Sequence, residues 1–197
     1  MKKCRIMLWL LFFGMAVFWG YGAENPKVLM KTELGDMVIE IYLEKAPITA
    51  ANFLKYVDEK RWEGAHFYRV VTMDNQPNND IKIEVIQGGL GDGRSELRLP
   101  AIKHETTEKT GVLHKDGVIS MARSEPGTAG SEFFICVQDQ PELDFGGKRN
   151  PDGQGFAAFG FVTKGRDVVK KIQTQPCENQ RLGTPVKILS ITRIQEK

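Results

Sequence analysis

Apolar residues recur along the chain with two different periods, and these periods predict its secondary structure. Two apolar runs, Val28–Thr32 and Met37–Leu43, have the composition of β-strands, and the glycine-containing turn between them is typical of a hairpin. The next segment has apolar residues at helical spacing, with Pro47 suited to a first helical turn and Gly64 at its end. These patterns predict a β-hairpin followed by a helix.

Further short apolar runs, separated by polar and glycine-rich segments, predict additional strands. They read FYRVV, IKIEVIQ, VISMA, FFICV, FAAFGFV and VKILSITRI. IKIEVIQ alternates strictly, so Ile81, Ile83, Val85 and Gln87 are expected on one face of its strand. Arg166–Gln173 has the pattern of a short helix. About seven or eight short strands and two helices favour a mainly β fold, a closed or nearly closed antiparallel barrel with helices over its ends.

Two polar segments between these runs are predicted to be loops. Met73–Asp80 reads MDNQPNND, which is typical of a surface loop, and Leu143–Gly155 is long and rich in glycine. The chain has no internal repeat and no low-complexity tract. Its length suits one domain with a small additional segment.

The first 23 residues have the pattern of a secretory signal peptide. Three basic residues precede an apolar run that starts at Ile6, and polar sequence follows Ala23. The run is shorter than the about 20 residues that a membrane-spanning helix needs. We predict cleavage after Ala23 and an exported, periplasmic domain over 24–197. An uncleaved N-terminal segment that tethers the domain to the membrane is the alternative.

Charge and composition argue against a nucleic-acid partner. The formal net charge is +2, and the basic residues are scattered among acidic ones. A nucleic-acid binder would be expected to cluster its basic residues on one face or along one helix. Nothing in the pattern indicates an oligomer, and we expect a monomer.

The sequence does not predict a metal site or decide whether a disulfide forms. HETTE at His104–Glu108 lacks the second histidine of the H-E-x-x-H zinc signature. Cys136 and Cys177 follow the signal-like segment, and an exported location permits a disulfide. Whether they form a bridge depends on the distance between the two residues and on the directions of their side chains. Cys136 ends an apolar run and is favoured as a small buried hydrophobic residue.

Two charged residues stand in unusual places. Arg69 lies among the apolar residues of FYRVV, and Glu132 directly precedes the pair Phe133–Phe134. By composition alone, the simplest interpretation is that Arg69 points out of its sheet, because alternate strand residues face outward. Ser131 is not in the G-x-S-x-G context of a catalytic nucleophile.

Several motifs taken together change this interpretation. FYRV, IQGG, ISMAR…GTAGSEFFI and LD…GFAAFG occur in this order. With the opening KTELGDMVIEIYLEKAPITAANFL, they resemble the cyclophilin family of peptidyl-prolyl cis–trans isomerases, in particular its exported bacterial branch. The resemblance covers nearly all of 24–197. It implies a closed eight-stranded antiparallel β-barrel capped by two α-helices, and an enzyme that acts on proline-containing polypeptides.

The resemblance also implies a set of site residues. It places the catalytic arginine at Arg69 and the glutamine that orients it at Gln87. The implied substrate-binding residues are Val85, Ala122, Arg123, Glu132, Phe134, Leu143 and Phe156. Ala122 and Arg123 are expected to contribute backbone groups, and the others, apart from Glu132, an apolar proline pocket. No metal or cofactor is implied.

Arginine suits the chemistry of prolyl isomerisation. Amide resonance holds the bond planar behind a barrier of about 18–20 kcal/mol. The proline nitrogen regains its lone pair when the bond twists, so a donor aimed at that lone pair stabilises the twisted state. Arginine carries five donors in a rigid fork and keeps its charge.

The chain departs from the family pattern at several positions. Tyr68 replaces a usual histidine, and Glu132 replaces a common glutamine. Glu84 is predicted in the place of an aromatic pocket residue. Met73–Asp80 is extra sequence. Either added carboxylate could pair with Arg69, since charge-assisted bonds are strong.

Three functional hypotheses follow. The first is a prolyl isomerase that assists the folding of exported proteins. The alternative is a module of the same fold that binds proline-containing peptides with little or no turnover, since fold alone does not determine function. The third is an interaction protein that uses Met73–Asp80 as a contact arm.

Overall fold

Eight antiparallel β-strands close into a barrel in the computed structural model, which describes residues 24–195. The strands, with one short extra strand, are β1 (Lys27–Thr32), β2 (Gly35–Ile41), β3 (His66–Val71), β4 (Val85–Gly89), β5 (Val118–Met121), β6 (Phe133–Cys136), β7 (Ala157–Lys164), β8 (Cys177–Glu178) and β9 (Arg181–Arg193). Their order is β1-β2-β7-β5-β6-β4-β3-β9, and β9 pairs again with β1. The two-residue β8 pairs only with β9. The predicted eight-stranded barrel is confirmed.

Three α-helices accompany the barrel within residues 24–195. They are α1 (Pro47–Asp58), α2 (Thr107–Thr110) and α3 (Arg166–Gln173). α1 packs against β7 and β9, whereas α3 packs against β2, β3 and β4. The two predicted helices occur, with Pro47 in the first turn of α1, but α1 ends at Asp58 and does not reach the predicted end at Gly64. The one-turn α2 was not predicted, because four residues are too few to show a helical period.

The barrel interior is filled by apolar side chains from the strands and from α1. Val70, Ile86, Ile135 and Ile119 are fully buried and lie opposite one another on neighbouring strands. From α1, Phe53 packs its ring against Trp62, Phe159 and Phe133 at centroid distances of 4.6, 5.0 and 6.0 Å. This interior leaves the opposite face of β3, β4 and β6 available for a site.

The N-terminus of α1 is capped from a distant part of the chain. Ala46 provides no side-chain cap. The carboxylate of Glu105 instead accepts hydrogen bonds from the Thr49 amide at 2.7 Å, the Thr49 hydroxyl at 2.7 Å and the Ile48 amide at 3.2 Å. The first amides of a helix lack partners within the helix, so Glu105 supplies the missing acceptors.

The segment before β4 departs from the predicted strand. IKIEVIQ was expected to be a strand throughout, but β4 starts at Val85. Gln76 forms hydrogen bonds to both the amide and the carbonyl of Ile83, at 3.3 and 2.8 Å. The Ile81 carbonyl accepts one from Arg149. Hydrogen bonds from side chains therefore satisfy the backbone groups of this segment that would pair with a neighbouring strand in a sheet.

The remaining expectations about the chain have mixed outcomes. Cys136 is buried and Cys177 exposed, and both are free thiols, so the bridge that sequence left open does not form. Within 24–195, no helix is long and apolar enough to cross a membrane. The same residues contain no group of three metal-ligating side chains placed to hold an ion. The predicted signal peptide lies outside the described residues.

Candidate active site

The site is built on one row of residues across the outer face of the barrel. In this row Arg69 of β3 lies opposite Gln87 of β4, which lies opposite Phe134 of β6, which lies opposite Ser120 of β5. Directly opposed residues project from the same face of a sheet. The register of β3 shifts by one residue at Tyr68. Such a bulge redirects neighbouring side chains, and it leaves Arg69 beside Gln87.

Two glutamines hold the guanidinium of Arg69. Gln87 Oε1 accepts a hydrogen bond from Nη1 at 2.7 Å. Gln180 Oε1 accepts from Nε at 3.1 Å and from Nη2 at 2.5 Å. Gln87 was predicted to contact Arg69. Gln180, which follows β8 in the turn to β9, was not, because its sequence context carries no pattern that indicates a site.

Arg69, Gln87, Tyr68 and Glu132 form one chain of hydrogen bonds, in that order. Gln87 Nε2 donates to the Tyr68 hydroxyl at 3.0 Å, and that hydroxyl donates to Glu132 Oε2 at 2.7 Å. Arginine can only donate, so Gln87 must turn its oxygen to Arg69 and its amino group to Tyr68. Burial, together with the adjacent Glu132 carboxylate, raises the pKa of Tyr68 and keeps its proton in place.

The Glu132 carboxylate accepts two further contacts and lies close to a glycine. The Ser131 hydroxyl donates to it at 2.8 Å, and the Gly91 amide lies 3.2 and 3.3 Å from its two oxygens. Gly89, the second glycine of IQGG, leaves the space for this carboxylate. The expectation that an added carboxylate pairs with Arg69 is wrong for the described residues: Glu132 contacts Tyr68, and Glu84 accepts a hydrogen bond from Gln173.

A pocket of about 250 Å³ with one apolar wall opens beside Arg69 and Gln87. Its other lining residues are Ile83, Val85, Ala122, Arg123, Phe134, Leu143, Arg149, Asn150 and Phe156. The rings of Phe134 and Phe156 meet edge to face at 5.3 Å. The structure thus brings together every predicted site residue except Glu132 around one pocket. Glu132 lines an adjoining groove of about 450 Å³ that shares Gln87, Ala122 and Arg123.

One predicted pocket position was assigned to the wrong residue. Glu84 was expected in the place of an aromatic pocket residue, but its side chain lies away from the pocket and Ile83 lines it instead. The alternation of IKIEVIQ already placed Ile83 on the same face as Val85 and Gln87. At this one position the alternation was the better guide, and the alignment with the family motif was wrong.

The side chain of Arg123 has a structural contact of its own. It is 1 % exposed, and its guanidinium binds Asp152 at 2.7 and 2.9 Å and the Gly155 carbonyl at 2.6 and 2.8 Å. It also lies over the Phe156 ring at 5.2 Å. Arg123 therefore anchors the glycine-rich loop to the pocket wall, and its backbone is the part that faces the groove.

Comparison with known proteins identifies the family. The family model described as "Cyclophilin type peptidyl-prolyl cis-trans isomerase/CLD" matches residues 27–193. The chain belongs to the cyclophilin family. The predicted class of enzyme, a peptidyl-prolyl cis–trans isomerase, is thereby confirmed.

Similar proteins agree in sequence and in fold. A peptidyl-prolyl cis-trans isomerase of Acinetobacter baylyi is 35% identical to this chain, in an alignment that covers 97% of this chain and 95% of the relative's length. Peptidyl-prolyl cis-trans isomerase B of Escherichia coli is 34% identical over 74% of this chain and 83% of its own. A crystal structure of a Cryptosporidium parvum cyclophilin matches with a TM-score of 0.70 at 20% identity, over 88% of this chain and 99% of that chain.

A buried polar trio supports the pocket of this cyclophilin from behind. His114 Nδ1 lies 2.7 Å from Asp144 Oδ1, and His114 Nε2 lies 2.9 Å from the Ser120 hydroxyl. The His114 ring stacks on Phe134 at 5.9 Å. The three residue types match a hydrolase triad, but Ser120 is fully buried. The trio therefore fixes the position of Phe134 and offers no accessible nucleophile.

Arg69 lies in a positively charged neighbourhood. Burial lowers its pKa most, and the nearby Arg149 and Arg181 lower it further. Arginine remains charged under such shifts because its ordinary pKa is so high. The two glutamines that hold the guanidinium are neutral, and the charged side chains named here are also cations. The positive charge of Arg69 is therefore not neutralised by them and remains available to a bound molecule.

Proposed function

We propose that Arg69 catalyses prolyl isomerisation by donating a hydrogen bond to the nitrogen of the twisted X–Pro bond. The observation that carries this proposal is the position of its guanidinium, which two glutamines hold at the edge of a pocket with an apolar wall. A donor that is already oriented costs no reorganisation when the lone pair develops. It stabilises the twisted state more than either planar state, which is the requirement for catalysis.

The pocket suits a proline ring. Val85, Phe134 and Leu143 are buried apolar residues at its wall, and Phe156 closes one side. Its volume of about 250 Å³ accommodates a small ring. The Cryptosporidium parvum cyclophilin was also crystallised in the presence of the dipeptide Ala-Pro. We therefore assign proline-containing polypeptides as the substrates.

The groove beside the pocket suits the peptide on either side of proline. The Ala122 amide is used within the protein, because it donates to the Glu132 carbonyl at 2.9 Å. The Arg123 amide donates no hydrogen bond to another backbone group in the described chain. We assign it as the donor to a substrate carbonyl, and Glu132 as part of the groove wall rather than as a direct partner of Arg69.

The experiment compares two arginine variants of 24–197 in an assay of cis–trans exchange in a prolyl peptide. Arg69→Ala is expected to lower kcat/KM by about 100-fold, as for removal of one oriented donor. Arg94→Ala is the control, because Arg94 is outside the pocket and the grooves and contacts the Glu63 carbonyl. Equal rates for wild type and Arg69→Ala would overturn the catalytic role. Peptide binding without turnover in wild type would instead support the alternative, a binding module.

We further propose that this cyclophilin is exported and assists the folding of exported proteins. The support is the signal-like pattern of the first 23 residues, together with the slow exchange of prolyl bonds during folding. N-terminal sequencing of the protein recovered separately from the periplasm, the membrane fraction and the cytoplasm tests this. A chain that starts at Glu24 is expected. An intact Met1 in the membrane fraction would indicate a tether, and an intact Met1 in the cytoplasm would overturn export.

A further inference from the structure

We propose that Gln180 is a positioning residue for Arg69 and that the 72–76 loop, Thr72–Gln76, holds Gln180 in place. The proposal rests on the isomerase function proposed above, because it assigns a role in that reaction. It also gives a role to part of the extra sequence Met73–Asp80, which the family resemblance leaves without one.

The first step concerns the donors that remain free on Arg69. A guanidinium has five N–H donors. Gln180 takes Nε–H and one Nη2–H, and Gln87 takes one Nη1–H. One N–H on each terminal nitrogen is left. These two donors lie at the end of the planar fork, so the two glutamines together determine where that end points.

The second step concerns the orientation of Gln180 itself. It adopts the left-handed conformation with φ 69° in the turn between β8 and β9, and its carbonyl accepts a hydrogen bond from the Val70 amide at 2.9 Å. Its Nε2 donates to the Asn75 carbonyl at 3.1 Å. Since Arg69 can only donate, Oε1 must face Arg69 and Nε2 must face a carbonyl. Asn75 provides that carbonyl, so both ends of the amide have suitable partners.

The third step concerns the rigidity of the 72–76 loop. Asn75 Oδ1 accepts from the Thr72 amide at 2.9 Å, and Asn75 Nδ2 donates to the Val70 carbonyl at 3.0 Å. Gln76 is fully buried and binds the Thr72 carbonyl and both backbone groups of Ile83. The loop is therefore tied to β3 and to the wall of the proline pocket. Part of the extra sequence packs back onto the site and is not a free contact arm.

The physical consequence follows from the charges around Arg69. Arg149 and Arg181 are close enough to lower its pKa by repulsion. Without Gln180, Gln87 would be the one side-chain acceptor left for the guanidinium among residues 24–195, and the repulsion would favour its rotation away from these cations. The loss should reduce kcat more than it changes KM, because the oriented donor acts on the twisted state.

The variants are chosen to keep the turn intact. Gln180→Met retains the length of the side chain and removes both hydrogen-bonding groups. Gln138→Met is the matched control, because Gln138 is an exposed glutamine that also has a positive φ, 60°, in another turn. Asn75→Ala removes the two side-chain bonds that tie the loop to Thr72 and Val70, together with a contact of Asn75 Nδ2 to Cys177 Sγ at 3.6 Å, and leaves the Gln180 side chain itself unchanged.

Two measurements test the proposal, one of which does not depend on activity. In the exchange assay, Gln180→Met is expected to lower kcat about 10-fold with KM within about 2-fold, and Asn75→Ala to lower kcat about 3-fold. Gln138→Met should match wild type. In ¹⁵N NMR spectra, the Nε–H signal of Arg69, identified by its loss in Arg69→Lys, should be slow to exchange in wild type. It should exchange faster in Gln180→Met and be unchanged in Gln138→Met.

The outcomes separate the two proposals. An inactive wild type would overturn the proposed function, while the NMR signal would still report whether Gln180 orders Arg69. A folded Gln180→Met with wild-type kcat or an unchanged Nε–H signal would overturn the positioning role alone, as would an equal effect of Gln138→Met. If Gln180→Met does not fold, the same two measurements are made on Asn75→Ala. A wild-type kcat or an unchanged Nε–H signal in that variant would then overturn the positioning role.

Discussion

Arg69 and Glu132 lie at opposite ends of one chain of hydrogen bonds and do not contact each other. Every bond in the chain runs in the same direction, from Arg69 through Gln87 and Tyr68 to Glu132. Arg69 fixes the orientation of the Gln87 amide from one end, and the Glu132 carboxylate, which accepts, fixes the direction of the Tyr68 hydroxyl from the other. The hydroxyl oxygen is thereby left to accept from Gln87, so Glu132 supports the glutamine that holds Arg69 without touching Arg69 itself.

Glu132→Gln tests this indirect role. The amide still offers one oxygen to Tyr68, but its amino group faces the Ser131 hydroxyl and the Gly91 amide, which are donors. We expect kcat/KM to fall about 3-fold, the cost of one weakened hydrogen bond. Glu84→Gln is the control, because Glu84 contacts Gln173 outside the pocket. A wild-type rate for Glu132→Gln, or an equal loss for Glu84→Gln, would contradict the indirect role.

Tyr68→Phe interrupts the same chain at its middle. Without the hydroxyl, Gln87 Nε2 loses its acceptor and the Glu132 carboxylate loses a donor. A partly buried group left unpaired costs about 1–3 kcal/mol. We expect kcat to fall by about 10-fold, with a smaller change in KM, in the peptide exchange assay. A larger loss in KM than in kcat would show instead that Tyr68 binds substrate directly.

The titration of Tyr68 provides a separate prediction. Burial and Glu132 raise its pKa above the ordinary value of 10.0, so the folded protein retains this proton where an unfolded chain would lose it. Its contribution to stability is fully present below about pH 10 and is lost as pH rises above that value. Up to the alkaline unfolding transition, wild type and Tyr68→Phe should show the same rise in tyrosinate absorbance. A larger rise in wild type would contradict the raised pKa.

Gly89→Ala tests the space that IQGG leaves for Glu132. The added Cβ would lie 2.5 Å from the Ser131 carbonyl oxygen and would overlap the Glu132 carboxylate. The backbone φ of 147° is itself unfavourable for alanine. We expect a loss of about 3 kcal/mol in the free energy of unfolding by urea, with a fall in kcat.

Gly91→Ala separates the two causes of that loss. Gly91 also has a positive φ, 62°, but a Cβ there would meet nothing within 4 Å. Its variant should lose only about 1 kcal/mol, the cost of the left-handed conformation. Equal losses for both variants would show that the contacts of the added Cβ with Ser131 and Glu132 have no effect on stability.

The motif order predicted the barrel and most of the pocket, since short strands and conspicuous residues such as Arg69 leave a local pattern. Gln180 left none, because it is 111 residues from Arg69 and stands in an ordinary turn. Glu84 was misplaced by the register taken from the IQGG motif, although the alternation of IKIEVIQ puts Glu84 on the face opposite Val85 and Gln87. The strand before Val85 was overpredicted for a different reason, because side chains from Gln76 and Arg149 replace the neighbouring strand there. Long-range side-chain contacts of this kind are set by tertiary packing and have no sequence period.

Glu105→Ala should destabilise the fold without changing catalysis. It removes the acceptors for the Ile48 and Thr49 amides and for the Thr49 hydroxyl at the start of α1. Buried donors left unpaired, together with the loss of a negative charge at a helix N-terminus, should cost about 3 kcal/mol. Glu108→Ala is the control, because Glu108 is exposed on α2. Urea unfolding should show the loss for Glu105→Ala alone, while kcat/KM at 25 °C stays at the wild-type value, because Glu105 lines neither the pocket nor the groove. A stability equal to that of Glu108→Ala would mean that water replaces the carboxylate at no cost.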